Sequence, residues 1–119
     1  MPRLVESPAR IPVPGGKIID EYVGHVATST SSVSVAHMQA PPGWSEPAQA
    51  PAFDEFTVVL HGSLRVEHDS GVLDVAAGQA VVTAAGERVR YSVGGDGAEY
   101  IAVCLPAFAP DLAHREDDE

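Results

Sequence analysis

The chain has 119 residues and a net charge of −10, from 17 acidic and 7 basic side chains. This length predicts one domain with a modest core, and a hydrophobic share of 45% favours folding over disorder. The negative charge repels phosphate backbones, so we expect no nucleic-acid partner. No apolar run approaches the roughly 18 residues of a membrane span. The first residues lack an apolar signal core, so we expect a cytoplasmic protein without membrane contact.

The composition divides the chain into three parts. Residues 1–16 contain four prolines and end in two glycines, which predicts an extended arm able to lie on a neighbouring subunit. Residues 17–109 are expected to form the domain itself. Residues 110–119 form an acidic tail that we expect to be solvated, with one helical turn over 110–115.

Short alternating runs separated by turn residues fill the middle part. A weak strand pair is expected over 17–26, around Gly24. The clearer predicted strands are Val33–Met38, Phe56–Leu60, Leu64–Glu67, Val72–Val75, Val81–Thr83, Val89–Val93 and Tyr100–Leu105. Their spacing of about 8 to 12 residues, without a long helical period, is typical of an all-β sandwich or barrel.

The central stretch of the chain covers residues 53–66. We interpret it as a hairpin whose turn contains Gly62, because glycine accepts a positive φ without steric cost. By the two-residue period of a strand, Glu55 shares a face with Thr57, Val59 and His61. A carboxylate in line with valine faces water or lines a cavity. A second glycine-rich stretch, 94–97, is predicted to be a loop.

The order of these runs resembles the cupin family. Residues 41–43 look like the turn before the first cupin motif, and residues 54–64 look like its second half, where a metal-binding glutamate begins a strand. Residues 78–86 resemble the opening of the second motif. Residues 99–106 are similar to the closing strand of the ethanolamine-utilisation branch. The resemblance implies a double-stranded β-helix, or jelly-roll barrel, and a homodimer in which residues before Gly15 join the contact.

The metal-binding positions of the family are altered in this chain. The histidines expected before Glu55 fall on Gln49 and Pro51, or on Ala48 and Ala50. The second motif has Val89 in place of its histidine. Because alkyl groups cannot coordinate a metal and one carboxylate holds a transition ion weakly, we expect no metal cofactor. If a metal is bound, the replacement ligands are Glu46, Gln49, Glu55 and His37.

Eight residues are candidates for a small-molecule site. Glu55 is the candidate catalytic residue, since burial would raise its pKa and suit it to proton transfer. The candidate ligand-binding residues are Glu46, Gln49, His37, Tyr91, Tyr100, Trp44 and His61. Each has a plain structural alternative. For Glu46 and Gln49 the alternative is a position in a solvated loop, and for His37 and the two tyrosines it is a position in the core. For His61 it is a position at the barrel mouth or on the surface.

Three functions remain open from the sequence. The first is an enzyme that isomerises, dehydrates or cyclises a small molecule by acid/base chemistry at Glu55. The second is a non-catalytic ligand-binding or sensing module. The third is a metalloenzyme that uses the replacement ligands. The cupin fold hosts many activities, so the fold does not choose among them.

Overall fold

The computed structural model describes residues 1–116, and it confirms the all-β prediction. In chain order its strands are β1 (Ala9–Ile11), β2 (Ile18–Val23), β3 (Ser34–Ala40), β4 (Asp54–His68), β5 (Gly71–Ala76), β6 (Ala80–Thr83) and β7 (Val89–Leu105). Two short helices are α1 (His25–Thr28) and α2 (Pro110–Ala113). The predicted tail residues 117–119 lie outside the described part of the chain.

All strand pairs are antiparallel, and the strand order is β1-β2-β3-β7-β4-β5, with β6 paired to β4. The two longest strands, β4 and β7, pair from Asp54↔Leu105 to His68↔Val89 and form the spine of the molecule. Because sheets twist and these strands carry bulges, the sheet curls and encloses an interior between its two halves.

The predicted hairpin turn at Gly62 is wrong. Residues 54–68 form one continuous strand, and Gly62 lies where its register against β7 shifts. The positive φ was expected correctly, because Gly62 has φ 75°. A Cβ there would lie 2.2 Å from the carbonyl oxygen of Gly97, so the close approach of β7 requires glycine. The glycine therefore bends a long strand instead of ending it.

Two other local predictions are wrong. The glycine-rich stretch 94–97 is part of β7, in which it forms a bulge between the two pairs with β4 at Val93 and Ala98. The strand pair expected over 17–26 is one strand, β2, followed by α1. Helix α1 begins after Gly24, where the buried carboxylate of Glu21 accepts hydrogen bonds from the backbone N–H groups of Val26 and Ala27.

The buried apolar cluster lies in the interior enclosed by the curled sheet. Its members come from both long strands and from the segments that cover them: Ala40, Trp44, Val59, Leu64, Val66, Val75, Val81, Val89, Tyr91, Val93, Ala98 and Tyr100. Four members of this cluster, Trp44, Leu64, Tyr91 and Tyr100, also line the cavity described below. Both helices of the described chain have four residues, so none is long and apolar enough to cross a bilayer.

Candidate functional site

A cavity of about 260 Å³ lies inside the barrel. Its walls come from β2, β3, β4 and β7, and part of its cover comes from residues 11–15 of the arm and residues 44–49 of the following loop. The arm reaches this position because β1 pairs with β2 of the same chain. Gly15 and Gly16, with φ 84° and 79°, then turn the chain back across the barrel.

Glu55 lies in the cavity wall and is 9% exposed. It shares the inward face of β4 with Thr57 and Val59, as the two-residue period predicts. The Tyr91 hydroxyl donates a hydrogen bond to its Oε1 at 3.0 Å, and the Thr83 hydroxyl lies 3.2 Å from the Tyr91 oxygen. The Cys104 thiol is 3.9 Å from Oε2. The carboxyl is thus positioned by side chains from β6 and β7.

The surroundings of Glu55 favour its neutral form. Burial raises the pKa of the Glu55 carboxyl above its ordinary value, and the hydrogen bond from Tyr91 opposes this increase. The negative charge of Glu46 raises the Glu55 pKa further. Burial also raises the pKa of the Tyr91 hydroxyl, so that hydroxyl remains a donor. The site therefore contains a carboxyl group whose charged form is disfavoured by burial and which accepts a hydrogen bond from a neutral hydroxyl.

Lys17 brings a cation to the same cavity. Its Nζ lies 4.2 Å from the centroid of the Trp44 ring and 5.3 Å from that of Tyr100. An ammonium group over aromatic faces is attracted by the ring quadrupoles. Burial nevertheless lowers the pKa of Lys17, and the charges of Glu46 and Glu55 oppose that shift. The Tyr100 hydroxyl is buried and has no hydrogen-bond partner within residues 1–116.

Glu46, Gln49 and Arg115 line another part of the cavity. The Arg115 guanidinium donates to Glu46 Oε2 at 3.2 Å and lies 3.5 Å from Gln49 Oε1. Gln49 is held in place by two backbone hydrogen bonds with Val89, at 2.9 and 2.8 Å. The loop glutamate and glutamine are thus fixed in the wall by an arginine from the end of the described chain.

Six of the eight candidate residues line the cavity, and two do not. The expectation that His37 faces it is wrong. On β3 the side chains of Ser34, Ala36 and Met38 point inward, so His37 lies on the opposite face. There its Nε2 contacts the Glu99 carboxylate at 2.5 Å. His61 is 79% exposed and lies 3.7 Å from the same carboxylate, because a register shift after Val59 breaks the alternation.

Comparison with solved structures identifies this barrel. A single-residue variant of oxalate decarboxylase from Bacillus subtilis matches with a TM-score of 0.78 at 18% identity, over 93% of this chain and 31% of that one. A protein assigned to ethanolamine utilization in Salmonella typhimurium matches with a TM-score of 0.61 at 21% identity, over 77% and 71% of the two chains. Both neighbours are cupins. The chain has the cupin fold.

Sequence comparison adds one relative. A curated protein from Myxococcus xanthus named endoribonuclease YbeY is 50% identical over 107 residues. The match covers 89% of this chain but only 36% of that protein. A solved structure from Rhizobium leguminosarum, of unknown function, is 24% identical with a TM-score of 0.65, over 78% of this chain and 84% of that one. No protein-family model matches the chain.

The cavity residues do not fit the transition metal of many cupins. The fold brings Gln49 beside Val89, which are the positions where the two motifs would supply histidines. Within residues 1–116, no group of three or more histidine, cysteine, aspartate and glutamate side chains is arranged to hold a metal ion. The replacement set proposed from the sequence fails because His37 lies on the other side of the sheet. We therefore derive no chemical step through a metal.

Lys17 and Arg115 are site residues that the sequence reasoning missed. Neither lies in a cupin motif, and both come from segments outside the central strands. One signal was available for Lys17, because it is the only lysine among seven basic residues. No comparable signal marks Arg115, which reaches the cavity through α2 and a single bridge to Gln49.

Proposed function

We propose that this cupin binds a small, mostly apolar organic molecule in its cavity and exchanges a proton with it through Glu55. The supporting observation is the buried carboxyl of Glu55 in the cavity wall, hydrogen-bonded by Tyr91. A carboxyl group whose pKa is raised by burial is suited to general acid/base work. Isomerisation, dehydration and cyclisation all need this transfer.

The neighbours of Glu55 give each protonation state a role. In its neutral form, Glu55 has an O–H to donate to an oxygen or carbon atom of the ligand. In its charged form, the carboxylate is stabilised by the Tyr91 hydroxyl, which is itself supported by Thr83. Apolar residues form much of the wall around the carboxyl, so the proton passes directly between carboxyl and bound ligand, and the carboxyl exchanges with solvent again when the ligand leaves.

The proposal is tested by proton exchange in D2O. A panel of small ketones, 2-oxo acids and hydroxy acids is incubated with the protein, and loss of C–H signals is followed by ¹H NMR. We expect at least one compound to exchange. Glu55→Gln should slow that exchange by about 100-fold or more, because glutamine keeps the shape but cannot carry the proton.

A matched control comes from the same strand. Glu67 is exposed on β4, outside the cavity, so Glu67→Gln makes the same chemical change away from the site. Exchange should proceed at the original rate in that variant. A Glu55→Gln variant that is folded and exchanges as fast as the unsubstituted protein contradicts the proposal.

A second candidate is a non-catalytic ligand-binding module. The 50% identity to a segment of a longer protein favours this alternative, since the matched region is only 36% of the Myxococcus xanthus relative. The name endoribonuclease belongs to that longer protein. With a net charge of −10, this chain is poorly suited to hold RNA. In this alternative, compounds of the panel raise the melting temperature but none of them exchanges protons.

A further inference from the structure

We infer that Lys17 is a nucleophilic amine that forms an imine with a small aldehyde or ketone bound in the cavity. The inference deepens the proposed function by naming the substrate class, and it uses Glu55 in the same acid/base role. It rests on the position of the amine, on the absence of an ion-pair partner among residues 1–116 and on the groups that surround it.

The first observation is the placement of the amine. Lys17 lines the cavity together with Glu55, and its Nζ lies over the rings of Trp44 and Tyr100. Two glycines at the end of the arm turn the chain so that this side chain covers the barrel. A lysine held against apolar walls has less conformational freedom than a surface lysine, so it loses less conformational entropy when it reacts.

The second observation concerns charge. Among the described residues, no carboxylate oxygen lies within the 4.0 Å of an ion pair with Lys17. Glu46, the cavity carboxylate that could pair with it, is paired with Arg115 instead. An amine that is partly removed from water and lacks a close counter-ion loses its proton more readily. The lowered pKa of Lys17 agrees with this.

The third observation is the unused hydroxyl of Tyr100. This side chain is 3% exposed, and its oxygen has no partner within residues 1–116. A buried hydroxyl without a partner is costly, so a ligand oxygen that accepts its hydrogen bond would be favoured. A carbonyl oxygen is such an acceptor, and the same ring lies 5.3 Å from the Lys17 amine.

Imine formation requires only the Lys17 amine, the bound carbonyl compound and the Glu55 carboxyl group. The neutral amine adds to the carbonyl carbon, and a proton moves from nitrogen to oxygen to give a carbinolamine. Protonated Glu55 then gives its proton to the hydroxyl, which leaves as water when the C–O bond breaks. The products are a protonated imine on Lys17 and the Glu55 carboxylate. That carboxylate can remove a proton from the carbon beside the imine, which is the exchange proposed above.

The test is reductive trapping of the full chain with propanal and sodium cyanoborohydride at neutral pH. Because Lys17 is the only lysine, the chain has two primary amines, Lys17 and the Met1 amino group. Peptide mass mapping distinguishes them. We expect a propyl group at Lys17 at a rate at least about tenfold above Nα-acetyl-lysine amide, since the cavity holds the aldehyde beside the amine and burial raises the fraction of free amine.

Two variants sharpen the result. Lys17→Arg keeps a cation but cannot form an imine, so only Met1 should be labelled. Tyr100→Phe keeps the amine and the ring but removes the free hydroxyl, so labelling of Lys17 should slow several-fold. Labelling of Lys17 no faster than the model amine, or labelling confined to Met1 in the unsubstituted chain, overturns the inference.

The two proposals fail separately. Proton exchange that depends on Glu55 without trapping at Lys17 would leave the proposed function standing and overturn the imine. Rapid trapping at Lys17 without exchange would support the amine chemistry and contradict proton transfer through Glu55.

Discussion

Glu55 is a carboxyl group whose protonation is linked to folding. Its pKa is raised in the folded chain by burial, with Tyr91 acting in the opposite direction. The folded state therefore binds this proton more tightly than the unfolded state does. The resulting stabilisation is complete at low pH and is lost as the pH rises through the folded pKa.

At the residue scale we predict a pH-dependent difference between the unsubstituted protein and Glu55→Gln. As the pH rises above the ordinary value of 4.5, the unsubstituted protein should lose stability relative to the variant. The loss is about 1.4 kcal/mol per pH unit until the folded pKa is reached. Urea unfolding at a series of pH values measures it. The exposed Glu67→Gln should show a nearly constant difference, and a constant difference for Glu55→Gln would contradict the prediction.

The bulged long strand is the element that shapes the barrel. Gly62 on β4 and Gly97 on β7 both have positive φ. A Cβ at Gly62 would lie 2.2 Å from the Gly97 carbonyl oxygen, and a Cβ at Gly97 would lie 2.6 Å from the carbonyl oxygen of Ala40 on β3. The shift in register turns the second half of β4 so that Leu64 and Val66 point into the core. An earlier register shift, between Val59 and His61, leaves His61 exposed to solvent.

At the element scale we predict that Gly62→Ala destabilises the fold by about 2 kcal/mol or more, because it combines an unfavourable φ with a clash against the Gly97 carbonyl. Gly95→Ala on β7 is the control. Its backbone is not in the left-handed region, and an added Cβ meets no atom of the described chain within 4 Å. Thermal unfolding of both variants measures the effect. Equal stability of the two variants would refute this role for Gly62.

The outer face of the barrel is apolar over a contiguous area. Alternate residues of β4 that point away from the cavity pair with apolar residues of β6 and β7. Exposed members of this face are Phe56, Val58, Leu60, Val82 and Leu105. A large exposed apolar patch is typical of a protein–protein contact. A homodimer, expected from the family resemblance, is the association that we propose for it.

At the whole-molecule scale we predict a homodimer in sedimentation at micromolar concentration. Val58→Lys places a charge in the middle of the apolar face and should shift the protein to monomer. Val72→Lys is the matched control, because Val72 is 53% exposed on β5, beyond this face. It should leave the dimer intact. A monomeric unsubstituted protein, or equal effects of both variants, would contradict an interface on this face.

Local chemistry made much of the fold predictable. Valine-rich alternation marks the strands, and the two-residue period correctly places Glu55, Thr57 and Val59 on one face. The positive φ of Gly62 also follows from the residue itself. These properties depend on neighbours in the chain, so the sequence carries them directly.

The other features of the fold and the site depend on contacts between segments that are distant in the sequence. Whether Gly62 ends a strand or bends one depends on the approach of Gly97, which lies far along the chain. The inward face of β3 was set by its pairing with β2 and β7, and this placed His37 beside Glu99 instead of in the cavity. Lys17 and Arg115 reach the cavity from opposite ends of the chain, because β1 and α2 fold back onto the barrel. No local pattern encodes such long-range contacts, so the amine and the guanidinium of the site became visible only in the folded chain.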